Sequence, residues 1–166
     1  MAKIAWLSEQ EMRAWLACVN MSTLLGDYLD RQLRRDVGLS HADYNLLARL
    51  SVAPDRALTM SQLAENLKIT RSRLTHAVAR LEQAGHVRRR GHPTDKRGQL
   101  AVLTDQGADL LTEAAPGHVQ AVRRVVFDAL TPDQVRQLAE IGEAIAQAVQ
   151  HQADPANPAT LPWRRR

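Results

Sequence analysis

Basic side chains are concentrated in one short stretch of this 166-residue chain. Nine Lys and Arg residues lie between positions 68 and 98, where two carboxylates oppose them, so the stretch carries a charge of +7. The rest of the chain has 13 basic and 16 acidic residues, and the net charge is +4. Guanidinium and ammonium groups donate hydrogen bonds to phosphate oxygens, so this concentration indicates a site for a polyanion. An ordinary solvated charged surface is the alternative.

Some of these residues lie on a predicted helix that begins after the capping residue Thr70. Leu74, Val78 and Leu81 are spaced four and three residues apart and therefore share one buried face. The remaining polar side chains can bond to base edges or phosphates in a DNA major groove, which a helix of this size fits. The predicted contacts are Thr70, Arg71, Ser72, Arg73, Thr75, His76 and Arg80. The alternative is that they only solvate an amphipathic helix.

A predicted two-stranded hairpin follows this helix. Residues 87–90 and 99–103 have the length of short strands, and a turn-rich connection joins them. Three arginines on the first strand, Arg88, Arg89 and Arg90, are placed for phosphate contacts.

The tip of this hairpin carries a second group of charges. Asp95 can hold the guanidinium of Arg97 in a fixed position, with Lys96 between them. An arginine oriented in this way suits insertion into a narrow minor groove, where the negative potential is enhanced. The alternative is an exposed salt bridge within a turn, which contributes little to stability.

Helices must position these two elements. An unbroken helical pattern over residues 9–36 predicts a long first helix that ends at Gly38. Ser40 begins a second helix, and a capping box formed by Thr59 and Gln62 begins a third. The third helix, a short turn and the basic helix together form a helix-turn-helix pattern.

Two more helices are predicted after the hairpin. Thr104 starts the fifth helix, which we expect Pro116 and Gly117 to kink or interrupt. The sequence Thr-Pro-Asp-Gln at 131–134 starts a sixth helix with a narrow apolar stripe. Residues 152–166 contain three prolines and are expected to form a loose tail. The first helix is longer than a small core requires, so we expect it to pack against a partner chain.

Composition argues against several classes of protein. The chain is 45% hydrophobic, which is too high for a disordered chain, and it lacks the run of roughly 18 apolar residues that a membrane helix needs. Its start does not read as a signal peptide, and Cys18 has no second cysteine to pair with, so a cytoplasmic protein is expected. The six histidines are scattered along the sequence, so we expect no metal site. No catalytic or cofactor-binding motif is found, so we expect neither an enzyme nor a cofactor.

The run LTMSQLAENLKITRSRLTHAVARLEQAGHVRRRGHPTDKRGQLAVLTDQG, with DVGLSHADYNLL before it and LTPDQ after it, resembles the MarR family of bacterial transcriptional regulators. The resemblance covers roughly residues 9–150. It implies a mainly α fold with a winged helix-turn-helix lobe, a two-stranded wing, and N- and C-terminal helices that form a dimerisation base. Arg73 and His76 depart from the residues common in the family, which leaves the base preference open, and His92 replaces a common acid in the wing.

The resemblance also implies an assembly. In a single domain, residues 9–37 and 104–150 would form the dimerisation helices, and residues 40–103 would form the DNA-binding lobe. The two basic helices of a homodimer would then bind a palindrome whose half-sites lie about one DNA turn apart. Arg97 matches the family's wing-tip arginine, and Asp95 matches its partner.

Control by a ligand is a further implication of the resemblance. Many family members are released from DNA by a small aromatic or anionic molecule bound between the dimerisation base and the DNA-binding lobe. The residues that could line such a pocket are Met12, Trp15, Val19, Tyr44 and Leu47. Apolar residues at helical spacing are more often core, which is the alternative.

Redox control through Cys18 is not favoured. Peroxide-sensing relatives carry a reactive cysteine in the first helix, but that position falls nearer Leu16. No basic residue lies within one helical turn of Cys18 to activate its thiol, so a buried structural cysteine is predicted.

The sequence therefore predicts a dimeric transcriptional regulator, in particular a repressor, that binds double-stranded DNA with sequence specificity and loses affinity steeply as salt rises. Two alternatives stay open. One is an architectural DNA-binding protein with little sequence preference, and the other is a helical protein–protein interaction module whose basic hairpin binds an acidic partner.

Overall fold

The first helix is long and capped at both ends. In a computed structural model, which describes residues 5–92 and 98–153, helix α1 spans Glu9–Val37. Ser8 and Glu11 form a capping box at its start, and Gly38 ends it in the left-handed conformation at φ 74°, which glycine adopts without steric cost. The predicted helix and its glycine stop are confirmed. The buried residues of α1 all lie in its second half, at Leu29, Gln32 and Leu33.

The next three helices are α2 at His41–Ser51, α3 at Met60–Leu67 and α4 at Arg71–Gln83. Each begins at its predicted cap, because the side chains of Ser40, Thr59 and Thr70 each accept a hydrogen bond from the main-chain N–H three residues later. The chain turns from α3 into α4 through Lys68, which has a φ of 54°. The predicted helix-turn-helix is confirmed.

The sheet has one more strand than the sequence predicts. Strands β2 at Val87–Gly91 and β3 at Gln99–Leu103 form the predicted antiparallel hairpin, called the wing below together with the residues that connect them. A third strand, β1 at Ala57–Thr59, pairs with the other edge of β3, so the order is β1-β3-β2. A three-residue strand is too short to show a period-two pattern, and this one pairs with a strand about 40 residues away along the chain.

One hydrophobic core holds the helix-turn-helix and the sheet together. Leu74, Val78 and Leu81 of α4 are buried in it, as their spacing predicts. They pack in the same cluster as side chains from α2, α3 and the two strands of the wing. The core thus fixes which face of α4 remains for solvent. Its other members are Leu39, Leu46, Leu47, Leu50, Leu63, Ala64, Val87, Ala101 and Leu103.

The sequence predicts a kink or an interruption of the fifth helix at Pro116 and Gly117, and the interruption does not occur. Helix α5 runs through Pro116 and Gly117 over Asp105–Val125. A Cβ on Gly117 would lie 3.3 Å from a carboxylate oxygen of Asp36 in α1. Proline removes one main-chain donor from the helix, but packing against α1 holds the helical conformation, so the tertiary contact overrides the local signal.

The described residues fall into two compact units, and the second comprises those of Arg123–Arg166. It holds a 3-10 turn at Phe127–Ala129 and helix α6 at Pro132–Ala153. The main-chain N–H groups and side chains of Thr131 and Gln134 bond reciprocally, which confirms the predicted capping box. Along α6, the apolar side chains of Ile141, Ile145 and Val149 are exposed. No helix within the described ranges is long and apolar enough to cross a membrane.

Candidate nucleic-acid interface

Helix α4 presents a polar face to solvent. The hydroxyl of Thr70 accepts the N–H of Arg73 at 3.3 Å, and the hydroxyl of Thr75 donates to the carbonyl of Arg71 at 2.8 Å. The Thr70 hydroxyl therefore caps the helix, and the Thr75 hydroxyl bonds to the main chain one turn earlier. The structure leaves all the predicted contact residues of this helix exposed, namely Thr70, Arg71, Ser72, Arg73, Thr75, His76 and Arg80.

Arg80 is paired with a residue that the sequence did not assign to the site. Its guanidinium lies 2.6 Å from a carboxylate oxygen of Asp43 in α2. The Asp43 side chain is 9% exposed and also accepts the hydroxyl of Ser40, whereas the Arg80 side chain is 58% exposed. Asp43 and Arg80 are 37 residues apart in the sequence, so no local pattern reveals their contact.

The wing places its three arginines on two faces. Arg88 and Arg90 are exposed on the same face of β2, because side chains alternate along a strand. Arg89 faces the other way and is 28% exposed. It contacts Glu82 and the main-chain carbonyl of Thr75 in α4. The structure thus leaves two of the three predicted phosphate contacts facing solvent and ties the third to α4. The predicted tip residues Asp95, Lys96 and Arg97 lie outside the described residues.

The five residues predicted to line a ligand pocket do not come together in one chain. Leu47 is fully buried in the hydrophobic core. Tyr44 packs on His118, which approaches Gln32 in α1. Met12, Trp15 and Val19 are exposed on α1. At 1.5 Å per residue, Met12 lies about 30 Å along that helix from Gln32. Helical spacing placed these residues on apolar faces but could not show that the faces belong to different parts of the fold.

A polar aromatic cluster joins α1, α2 and α5. The ring of His118 lies 4.4 Å from that of Tyr44 and 5.7 Å from that of His41, measured between centroids. Its Nδ1 is 3.4 Å from the Gln32 side-chain oxygen, and Gln32 donates to Asp36 at 2.8 Å. Burial, with a smaller contribution from His41, lowers the pKa of His118. Burial raises the pKa of the Tyr44 hydroxyl. The sequence did not indicate this cluster, because His118 lies 86 residues along the chain from Gln32.

Two further sequence predictions concern Cys18 and metal binding. Cys18 lies on α1 and is partly exposed rather than buried, so the prediction of a buried structural cysteine is wrong for the single chain. Within residues 5–92 and 98–153, no group of His, Cys, Asp and Glu side chains could hold a metal ion.

These elements define a class of protein. Helix α4 is exposed and basic, and it is the second helix of a helix-turn-helix. The β-hairpin of β2 and β3, which carries exposed arginines, packs beside it. This is the arrangement of a winged helix-turn-helix protein.

Comparison with known proteins identifies the family. The model of the MarR family matches residues 37–98. Sco3205, a MarR family transcriptional regulator from Streptomyces coelicolor solved in complex with DNA, is 52% identical with a TM-score of 0.86, covering 89% of this chain and 92% of that one. AbsC, from the same organism, is 35% identical with a TM-score of 0.85, covering 90% and 100%.

A curated relative agrees with these structures over a shorter range. The transcriptional repressor YetL of Bacillus subtilis is 33% identical over 89 residues, so the match spans 54% of this chain and about half, 53%, of YetL. The solved structures match over nearly the whole chain. The chain therefore belongs to the MarR family of transcriptional regulators, as its sequence motifs predict.

Proposed function

We propose that this protein is a homodimeric repressor that acts in the cytoplasm by binding double-stranded DNA at a palindromic operator. The observation that carries the proposal is the exposed polar face of α4 beside the exposed Arg88 and Arg90 of the wing. The DNA complex of Sco3205, a protein 52% identical to this chain, supports it.

In the proposed complex, α4 enters the major groove. Arg71, Ser72, Arg73, Thr75 and His76 then reach base edges or the adjoining phosphates, since the first turns of such a helix approach the bases. Arg88 and Arg90 bind phosphates, which adds affinity without reading sequence. The wing-tip role of Asp95, Lys96 and Arg97 is part of the same proposal.

Exposed apolar side chains support the proposed dimer. Trp15, Leu16 and Leu24 of α1 are exposed, as are Ile141 and Ile145 of α6. A monomer in water rarely leaves this much apolar surface uncovered, so these helices suit a partner copy of the chain. We therefore assign residues 9–37 and 104–150 to the dimerisation base.

Binding of the purified protein to DNA tests the proposal. Fluorescence anisotropy with a duplex from the region upstream of its own gene should show tight binding that falls steeply between about 50 and 200 mM salt. Absence of binding to any duplex would contradict the proposal and, if an acidic protein is captured instead, favour the interaction module. Genome-wide footprints spread evenly, with no palindrome, would favour the architectural protein.

The family resemblance also implies release by a small ligand. Aromatic and anionic small molecules added to the same protein–DNA complex test this part of the proposal. A ligand that acts through the protein should lower DNA affinity as its concentration rises, to a limit reached when the protein is saturated.

A further inference from the structure

Beside the shared hydrophobic core, two hydrogen bonds and one ion-pair contact link β2 to α4. One carboxylate oxygen of Glu82 accepts the main-chain N–H of Arg89 at 2.9 Å. The other oxygen lies 3.5 Å from Nε of the Arg89 guanidinium, which is an ion-pair contact without a hydrogen bond. Nη2 of the same guanidinium donates to the main-chain carbonyl of Thr75 at 3.2 Å. Thr75 and Glu82 are seven residues apart on α4, which is about two helical turns.

This set of contacts constrains orientation as well as distance. Among the described residues, β2 is an outer strand of the sheet, so one of its edges has no described strand beside it. At that edge, Glu82 bonds to the main chain of β2, and a carboxylate that accepts an N–H makes a strong, charge-assisted hydrogen bond. The planar guanidinium adds a hydrogen bond to Thr75 in one direction and an ion-pair contact with Glu82 in the other, which a single-point cation cannot do. Side chain and main chain together restrict rotation of β2 against α4.

We propose that Glu82 and Arg89 are positioning residues that fix the angle between α4 and the wing, so that both elements engage one DNA duplex together. This inference rests on the proposed function, because it assumes that α4 and β2 bind DNA. Thr75, which accepts the bond from Arg89, lies on the face of α4 assigned to base contacts. Arg88 and Arg90, on either side of Arg89, are the phosphate contacts. A site held in its binding geometry before the ligand arrives loses less entropy on binding.

The charge of Glu82 makes the proposal easy to test. Glu82 is the single acidic residue of the described part of the basic stretch 68–98. A carboxylate near a phosphate backbone repels it, so removal of this charge alone should leave DNA affinity unchanged or raise it. A positioning role predicts the opposite sign, because the wing loses its anchor. Arg89 offers the complementary test, since lysine keeps the charge but loses the two-direction contact.

The experiment compares the full-length parent with Glu82→Gln and Arg89→Lys, and uses Arg88→Ala as the control. Each protein is titrated by fluorescence anisotropy, over a range of salt, against two duplexes of equal length. One is a duplex that the parent enriches from a random-sequence library, and the other is a random sequence. Thermal unfolding of each variant reports whether it is folded.

Glu82→Gln and Arg89→Lys are expected to bind the enriched duplex about tenfold more weakly than the parent, with little change on the random duplex and an unchanged salt slope. Arg88→Ala should weaken binding to both duplexes and lower the salt slope by about one. The proposal is overturned if folded Glu82→Gln binds the enriched duplex as tightly as the parent, or if Arg89→Lys does. Failure of the parent to bind any duplex overturns the proposed function itself, which is a different result.

Discussion

Asp43 links two parts of the helix-turn-helix through its side chain. Its carboxylate accepts the hydroxyl of Ser40 at the start of α2 and lies 2.6 Å from the guanidinium of Arg80 on α4. Because Asp43 is nearly buried, water replaces these partners poorly. Arg80 is therefore held in place by α2 while much of its side chain remains exposed.

Replacement of Asp43 should reveal this link. We expect Asp43→Asn to lower the free energy of unfolding by about 1 kcal/mol, since the substitution keeps the size but removes the charge that pairs with Arg80. Urea unfolding measures the change. The matched control is Asp133→Asn, whose partner Arg136 is exposed and whose loss should cost less than about 0.5 kcal/mol. Equal small losses for the two variants would contradict the linking role of Asp43.

His118 should make folding stability depend on pH. Burial lowers its pKa in the folded protein, and the groups that surround it are His41, Tyr44 and Gln32, with Asp36 bonded to Gln32. The unfolded chain then binds a proton more readily than the folded protein. The contribution of His118 is therefore fully present above about pH 6.5 and is lost as pH falls below that value toward the lowered pKa.

The measurement is urea unfolding of the parent and His118→Gln between pH 5.5 and 7.5. The parent should lose more stability than the variant as pH falls through this range, because glutamine does not titrate. Parallel losses in the two proteins would contradict a lowered pKa at His118.

Sequence patterns predicted which residues of α4 are exposed, but they did not predict which side chains on other elements contact them. The spacing of Leu74, Val78 and Leu81 placed the polar face of α4 correctly. It could not show that Arg80 pairs with Asp43 or that Arg89 points back to α4, because both partners lie on other elements. Partners across elements depend on tertiary packing, which a single helical or strand period does not encode.

The start of α5 packs closely against the turn between α4 and β2. The main-chain N–H of Thr104 donates to the carbonyl of His86 at 3.1 Å, and the hydroxyl of Thr104 donates to the carbonyl of Gly85 at 2.7 Å. Gly107 lies against the same carbonyl of His86, and a Cβ there would also come within 2.8 Å of Leu103. The absence of a side chain at Gly107 allows this approach.

Gly107→Ala should therefore be strongly destabilising. The new methyl group would meet the main chain of His86, which cannot rotate away as a flexible side chain could, so we expect a loss of more than about 2 kcal/mol. Chemical denaturation measures it. Gly91→Ala is the matched control, because no atom of the described residues lies within 4 Å of a Cβ at that position. A loss at Gly107 as small as the one at Gly91 would show that α5 can move aside.

Helix ends were predicted better than the sheet. Ser40, Thr59, Thr70 and Gly38 each act through bonds or dihedral angles local to the sequence, and each one marks an observed helix end. Strand β1 and the uninterrupted course of α5 through Pro116 depend instead on partners far along the chain. Helix α4 was thus predictable from the sequence, whereas β1, the outer strand that completes the sheet, was not.

The proposed dimer gives the exposed apolar residues of α1 and α6 a partner. We expect Ile145→Glu to raise the dimer dissociation constant by tenfold or more, since it places a charge on a surface that the dimer would bury. Sedimentation equilibrium measures the constant. Gln147→Glu, which adds the same charge on the same exposed helix, should have little effect. A parent protein with the mass of a single chain would contradict the dimer.

The positive charge of the molecule is concentrated in one part of the fold. The stretch 68–98 carries +7, and it includes α4 and the first strand of the wing, β2, whereas the rest of the chain is slightly acidic. A net charge of +4 alone would suit many proteins. Its concentration on an exposed helix and an adjoining hairpin is what favours DNA as the partner.

The most direct test of DNA recognition by α4 is selection of binding sites from a random-sequence library by the parent and by Arg73→Ala. The parent should enrich a palindrome with half-sites about one DNA turn apart. Arg73→Ala should change the preferred base at one position of each half-site, whereas Arg88→Ala should weaken binding without changing the preferred sequence. Enrichment of no sequence by the parent, or of the same sequence by the parent and Arg73→Ala, would contradict the assignment of base recognition to Arg73 on this helix.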